Sequence, residues 1–247
     1  RKRFGIEKNI DIIFKNTALV LSSFVAIILL GIILVVFFQS FESFSKYGLK
    51  FLFTSEWNPV KDEYGAFAAI YGTIITSLFS IFITIPLGVG TAIFITEDFA
   101  PKIIREIIGS FVELLAAIPS VVLGLWAIFV MEPFFRGFFA LLHSWFGWIP
   151  LFSSEPTGRN SLLAILILVV MLLPIVTSIS RDTLNQVPKK LRNAAYGIGA
   201  SRWKTIFSVI LPAALSGIMA GVLLALGRAM GETMAVTMII GNSNAFS

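Results

Sequence analysis

The 247-residue sequence contains no cysteine and only one histidine, His143. Without cysteine, these residues form no disulfide and offer no thiolate to a metal, and a single imidazole excludes a histidine-rich metal centre. Charged residues are also scarce at 13%, whereas hydrophobic residues make up 57% of the chain. A soluble domain carries about twice that share of charged residues. The composition therefore predicts an integral membrane protein.

Five apolar stretches are long enough to cross a hydrocarbon core of about 30 Å as helices. They cover residues 17–38, 67–95, 108–131, 161–180 and 208–240. The first is too long for a cleaved signal peptide, so we interpret it as a retained span. No stretch alternates polar and apolar residues as barrel strands do. The sequence predicts an all-α integral membrane protein, a polytopic helical bundle forming one transmembrane domain over residues 1–247.

The net charge of +5 lies in short basic clusters between apolar runs, which disfavours a nucleic-acid partner and is typical of membrane topology. The N-terminus and the loop after the fourth span hold most of these residues: Arg1, Lys2, Arg3, Lys8, Lys15, Arg181, Lys189, Lys190, Arg192, Arg202 and Lys204. We therefore place both segments in the cytoplasm, together with loop 97–106. Loops 39–66 and 132–160 and residues 241–247 then lie outside, and the aromatic residues of loop 132–160 predict a segment in the membrane interface.

The cytoplasmic loop at residues 188–207 and the first residues of the span after it contain a pattern that topology does not require. Its members are Asn193, Ala194, Ala195, Gly199, Val209, Leu211 and Pro212. Their spacing resembles the EAA loop of ABC importer permeases, EAA-x3-G-x9-I-x-LP, with Asn193 in place of the glutamate. Pro188 is suited to begin a helix here, and Pro212 marks the start of the next span. The resemblance implies a coupling helix that docks into an ATPase subunit; the alternative is an ordinary basic loop with a chance alanine pair.

Further stretches resemble the permeases of phosphate ABC importers of the PstC type. They are Trp57–Pro59, Tyr64–Ala66, Ile70–Thr73, Ile118–Gly124 and Gly227–Val236. The resemblance implies the type I ABC importer permease class, which has six spans, the sixth being absent from the five found here. It also implies phosphate import across the cytoplasmic (inner) membrane of a bacterium or archaeon. The implied partners are a second related permease, an ATPase dimer and an extracytoplasmic phosphate-binding protein, besides membrane lipid.

The sequence lacks the G-x4-GK[ST] loop that binds nucleotide phosphates. We therefore expect a transport subunit rather than an enzyme, with no catalytic residue, metal or cofactor in this chain, and with ATP and Mg²⁺ on the partner ATPase. One alternative is an importer permease for another oxyanion or small polar solute. Another, from a different class, is a channel or membrane scaffold without ATP coupling, which the EAA pattern disfavours.

Arg228 and Glu232 are the main candidates for contact with substrate. A charge at the bilayer centre costs about 2.5–3.5 kcal/mol on insertion scales, so charged residues inside spans tend to be functional. Four residues apart on a predicted helix, the two side chains share one face. They either form an ion pair that fixes helix packing or act on the passing anion, and the family resemblance associates them with phosphate passage. No other arginine or lysine falls deep inside a predicted span.

Two hydroxyl residues complete the predicted pathway. Ser120 follows Pro119, which is expected to kink the third span and leave backbone groups for the serine to satisfy. Thr73 lies in the second span, although threonine hydroxyls more often bond to their own helix. Glu113 is expected at the cytoplasmic interface rather than in the pathway.

Overall fold

A computed structural model describes residues 2–58, 60–148 and 160–240, with side chains from residue 11 onward. The chain divides into two compact units, Arg1–Phe67 and Ala68–Ser247. A single domain over residues 1–247 stays a prediction. Residues 241–247, most of the segment after Phe146 and the expected sixth span lie outside the described residues.

The first unit consists of a long helix followed by a small hairpin. Helix α1 covers Lys2–Tyr47 and α2 covers Lys50–Phe53. Strands β1 (Trp57–Asn58) and β2 (Glu63–Tyr64) pair antiparallel. The part of α1 from Asp11 to Tyr47 is long and apolar enough to cross a membrane.

Asp62 ties the hairpin to the end of α1. Its carboxylate accepts hydrogen bonds from Lys46 Nζ at 2.5 Å and from the Tyr47 hydroxyl at 2.9 Å. The hydrogen bond from Lys46, and then that from Tyr47, hold the pKa of Asp62 below its usual value. Asp62 has a φ of 55°, in the left-handed region that aspartate tolerates better than most residues.

The second unit is almost entirely helical. After α3 (Phe67–Thr96), which begins at the unit boundary, its α-helices are α4 (Lys102–Ala116), α5 (Ser120–Trp126), α6 (Glu132–Phe146), α7 (Ser161–Gln186), α8 (Lys189–Gly197), α9 (Arg202–Thr205), α10 (Leu211–Gly231) and α11 (Met234–Ile240). Two π-helical turns, Ala127–Met131 and Ile206–Ile210, join α5 to α6 and α9 to α10.

Five helical segments of the described residues are long and apolar enough to span a membrane: Asp11–Tyr47, Phe67–Thr96, Ser120–Phe146, Ser161–Gln186 and Arg202–Gly231. The all-α polytopic bundle with five visible spans is therefore confirmed. The first, second and fourth spans include the predicted stretches. The third and fifth have different boundaries.

The predicted third span at 108–131 is wrong at both ends. Helix α4 stops at Ala116, and Pro119 is extended, with φ −60° and ψ 140°, so that a new helix begins at Ser120. Proline has no N–H to continue a helix but fits at a helix start, which explains why Pro119 separates two helices instead of kinking one. The span then runs to Phe146, so much of the expected interfacial segment belongs to it.

The predicted fifth span at 208–240 is also corrected. Its helical run begins at Arg202, and Pro212 therefore lies inside the run instead of marking its start. The π-helical turn ending at Ile210 precedes this proline, so the regular hydrogen-bond pattern is already interrupted there. The run ends at Gly231, and the short helix α11 follows.

Helix α7 is the centre of the second unit. One buried cluster joins residues of α3, the second half of α7 and the stretch from Ile206 to Ala229, and another joins α5, Phe139, the first half of α7 and α11. Helix α10 runs antiparallel to α7, with Gly217 against Thr183 and Gly221 against Ile179. A Cβ at Gly217 would lie 2.4 Å from Thr183 Cγ2. The two glycines therefore allow α10 and α7 to pack closely.

Candidate functional site

Helix α8 forms nine residues in the first half of the predicted coupling loop at 188–207. Pro188 precedes its first residue, Lys189, which confirms the predicted helix start. At its other end, Gly199 has a φ of +81°, a conformation that glycine adopts without the cost imposed by a Cβ. The Ala200 N–H donates to Ala195 O at 3.0 Å and closes the helix. The helix therefore ends with a glycine C-cap.

The motif residues lie on different sides of α8. Asn193 and Ala194 are exposed, whereas Ala195 is only 5% exposed and packs against the protein. Pro212 is exposed but lies beyond the loop, in the following helix. The exposed face of α8 is therefore formed by only part of the motif.

Arg192 connects α8 to two other helices. Its Nη1 donates to Glu97 Oε1, just beyond the end of α3, and its Nη2 donates to Leu184 O in α7 at 2.8 Å. Glu97 is 7% exposed, so its carboxylate is buried with this partner. The pairing brings loops 97–106 and 181–204 to the same end of the unit, as the topology predicts.

Residues 98–99, just after α3, also contact α9 and α4. Arg202 Nη1 donates to Asp98 O at 2.9 Å, and its guanidinium lies 5.2 Å from the centre of the Phe99 ring. Arg105 in α4 donates to the Asp98 carboxylate at 2.8 Å. Residues 97–99 are thus contacted by three helices.

Glu113 lies at this same end. Its Oε1 accepts from Arg181 Nη1 at 2.9 Å, which joins α4 to α7. The Glu113 carboxylate is therefore paired with Arg181. This pairing agrees with the expectation that Glu113 lies at the end of the bundle rather than in the pathway.

Arg228 and Glu232 do not share a helical face, which corrects the prediction. Arg228 is exposed in the last turn of α10 and has no hydrogen-bond or ion-pair partner in the described part of the chain. Glu232 is extended, with φ −78° and ψ 103°, and its Oε1 accepts from the Ala235 N–H at 3.3 Å. Glycine at 231 favours the helix less than other residues do, and Glu232 instead caps α11. The packing ion pair is therefore not formed.

The interruption at residues 232–233 lies within the depth of the bundle. Ala235 and Ile239 of α11 share a buried cluster with residues of the first half of α7, inside the fourth span. Gly124 of α5 packs against Ala235, because a Cβ there would lie 3.2 Å from the Ala235 Cα. Two helices that begin after interruptions thus lie in contact. Non-helical backbone at membrane depth is tolerated where it faces protein or a water-filled cavity.

The hydroxyl candidates differ in their surroundings. Ser120 is half-buried at the start of α5, and its Oγ has no hydrogen-bond partner among the described residues. Thr73 Oγ1 donates to Ala69 O of its own helix at 2.9 Å. A pathway role for either residue stays a prediction.

The structure adds two charged residues that the sequence interpretation missed. Glu132 is 7% exposed inside the third span, and Arg136 one turn later donates to its Oε1 through Nε at 2.9 Å. The expectation that no other arginine or lysine lies deep inside a span was wrong for Arg136, because the third span extends to Phe146. The i,i+4 spacing of opposite charges among aromatic residues was the available signal.

Known proteins that are similar to this chain are components of membrane transport systems. The model of the family described as binding-protein-dependent transport system inner membrane component matches residues 84–246. The phosphate transport system permease protein PstC of Mesorhizobium japonicum is 45% identical, over 100% of this chain and 76% of its own length. The corresponding protein of Pasteurella multocida is 40% identical, over 95% of this chain and 74% of its own. The MetNI methionine ABC transporter, inward facing, matches with a TM-score of 0.49 and 21% identity over 68% of each chain.

Proposed function

The chain belongs to the family of binding-protein-dependent transport system inner membrane components, and from this premise we propose that it is the permease subunit of an ATP-driven importer of inorganic phosphate. The relatives named as phosphate permeases support the substrate. The structural observation that carries the proposal is the exposed Arg228, which has no partner in the described part of the chain and lies beside a helix interruption.

Arg228 and Glu232 suit the chemistry of phosphate. Near neutral pH this anion carries negative charge and usually a proton, so a guanidinium attracts its oxygens while a carboxylate accepts its P–O–H hydrogen bond. Sulfate lacks that proton and meets the carboxylate as a like charge. Affinity must stay modest, because a tightly held ion would not leave the pathway. Ser120 and Thr73 are the further residues that we assign to the pathway.

Energy enters through α8 and the residues that follow it. We assign the exposed Asn193 and Ala194 to contact with an ATPase dimer, and Ala195, Gly199 and Pro212 to the shape of the coupling segment. ATP and Mg²⁺ bind to that ATPase, so this chain is a transport subunit rather than an enzyme. A second, related permease completes the pathway, and an extracytoplasmic phosphate-binding protein delivers the anion. The N-terminus and residues 181–204 face the cytoplasm in the inner membrane of a bacterium or archaeon.

The test is to reconstitute the chain in lipid vesicles with the second permease, the ATPase and the binding protein. Phosphate is expected to stimulate ATP hydrolysis and to accumulate in the vesicles, whereas sulfate is expected to do neither. Stimulation by sulfate or by a small polar solute would favour the alternative importer. A purified chain that conducts ions and never copurifies with an ATPase would favour a channel.

A further inference from the structure

The strongest feature outside the proposed pathway is the buried carboxylate of Glu97. Its side chain retains 9% of its exposure, and the Arg192 side chain that pairs with it retains 19%. Burying a carboxylate is costly unless it is paired and hydrogen-bonded. The position of Glu97 therefore depends on a residue of α8.

Arg192 is held from two sides. One end of its guanidinium binds Glu97 and the other donates to Leu184 O in α7. The planar fork of arginine can hold two acceptors in fixed directions, which lysine cannot do. A displacement of α8 therefore pulls on the residue that follows α3.

The two faces of α8 have different neighbours. Arg192 and the buried Ala195 lie three residues apart and share the inward face, whereas Asn193 and Ala194 are exposed. In the proposed function the exposed face contacts the ATPase. A force applied to that face can reach Glu97 through one side chain, because Arg192 contacts Glu97 directly.

We propose that the buried Glu97–Arg192 ion pair transmits the movement of α8 to α3, which makes both residues positioning residues for ATP-driven transport. This inference rests on the proposed function, because it requires an ATPase at α8. The competing explanation is that the pair only stabilises the fold. A buried ion pair is weak evidence for stability, so the two explanations are separated by experiment.

The first test compares Arg192→Gln and Glu97→Gln with the control Glu106→Gln. Glu106 is an exposed carboxylate on α4 whose ion pair with Lys102, at 3.4 Å, lies within one helix. Phosphate uptake per ATP hydrolysed is measured in vesicles containing the complete importer. We expect a drop of about tenfold in both link variants, within the usual range of coupling between sites, while the ATPase still copurifies. The control is expected to match the wild type. Unchanged uptake per ATP in an assembled Arg192→Gln complex would overturn the proposal.

The second test replaces the ion pair by a covalent link, which covers the case in which a single variant fails to assemble. The sequence contains no cysteine, so a Glu97→Cys, Arg192→Cys protein can be joined specifically by a bismaleimide in a complex with cysteine-free partners. Uptake per ATP hydrolysed is expected to be about tenfold low before cross-linking and to return to within about threefold of the wild type afterwards. A cross-linked complex that stays uncoupled would contradict transmission through this link.

A third measurement does not use phosphate. Leu87 on α3 is 51% exposed, so a Leu87→Cys protein reports movement of α3 through its reaction rate with a thiol probe. A non-hydrolysable ATP analogue is expected to change this rate in the otherwise unaltered complex, and addition of Arg192→Gln is expected to abolish the change. An equal change in reaction rate with and without Arg192→Gln would overturn the proposal that the Glu97–Arg192 ion pair transmits the movement. Loss of phosphate uptake by the wild type, with the analogue response intact, would count against the proposed substrate alone.

Discussion

Within the Ala68–Ser247 unit, the arginines near the ends of α3 and α7 have hydrogen-bond partners, whereas Arg228 near the end of α10 has none among the described residues. At the end of the unit where α3 and α7 terminate, each arginine of the described residues donates to a carboxylate or carbonyl oxygen: Arg105, Arg181, Arg192 and Arg202. Arg228, in the last turn of α10, has no such partner in the described part of the chain. Partnered arginines fix helices relative to one another, whereas an unpartnered one keeps its donors available to a ligand. In the proposed function, this difference separates a region that supports the fold from one that contacts the anion.

The sharpest way to break this comparison is to neutralise Arg228. Arg228→Gln is expected to lower phosphate uptake by at least about 100-fold, on the scale of removing a charged donor from a preorganised site. The measurement is uptake in vesicles holding an assembled complex, with Lys102→Gln as the control for loss of an exposed positive charge. Exchange of the two charges, with Arg228→Glu and Glu232→Arg, is expected not to restore uptake, because the structure contains no pair to exchange. Full recovery would show that the pair acts only in packing.

The two halves of α10 allow a comparison of close packing with open space. Gly217→Ala is expected to cost about 1–3 kcal/mol, because its new Cβ meets the Thr183 side chain. Thr183 is held in place by a hydrogen bond from its Oγ1 to Ile179 O at 2.7 Å. The matched control is Gly227→Ala, where no atom lies within 4 Å of the added Cβ. Thermal unfolding in detergent should separate the two variants, and equal stability would contradict the contact with α7.

Gly199 offers a similar pair within the coupling segment. A Cβ at Gly199 or at Gly197 meets nothing within 4 Å, but only Gly199 has a positive φ. Gly199→Ala is therefore expected to destabilise the left-handed turn after α8 by about 1–2 kcal/mol, whereas Gly197→Ala is expected to cause no such strain. The expected result is weaker retention of the ATPase on copurification for Gly199→Ala alone. Equal retention would mean that the turn after α8 is not required for docking.

The smallest expected effect is that of Glu232→Gln. Glutamine keeps an oxygen that can accept the Ala235 N–H, so the start of α11 is preserved while the negative charge is lost. We expect the preference for phosphate over sulfate to fall about fivefold, the difference between a charged and a neutral acceptor. Competition between the two anions during uptake measures it, with Glu106→Gln as control. An unchanged preference would remove the carboxylate from selectivity.

Local signals in the sequence predicted much of the fold. Long apolar runs predicted the number of visible spans, and Pro188 predicted the start of α8. Each of these depends on neighbouring residues alone. Pro119 was interpreted less well, because the apolar residues continue on both sides of it and hydropathy does not distinguish a kink from a break.

Local sequence signals could not predict the contacts that distinguish the partnered arginines from Arg228. Arg192 and Glu97 are 95 residues apart, and nothing in either neighbourhood specifies the other. Glu232 was assigned to a helix because it lies in the apolar stretch 208–240, whereas the preceding glycine and the hydrogen bond from the Ala235 N–H to Glu232 end that helix. Tertiary packing decided the first case, and competition between a side chain and the backbone decided the second.

The cap formed by Glu232 has a consequence for how α11 responds to a ligand. The carboxylate oxygen that would receive a proton-bearing anion is attached to the same side chain that secures the first turn of α11. If the side chain turns towards the anion and releases the Ala235 N–H, the cap is lost, and losing such a cap costs a helix about 1 kcal/mol. Helix α11 has only seven residues and packs against Gly124 of α5. In the proposed function, binding of an anion to Glu232 would therefore compete with the packing of α11 against α5. In the proposed function, an anion that draws Glu232 away from Ala235 would therefore loosen the first turn of α11.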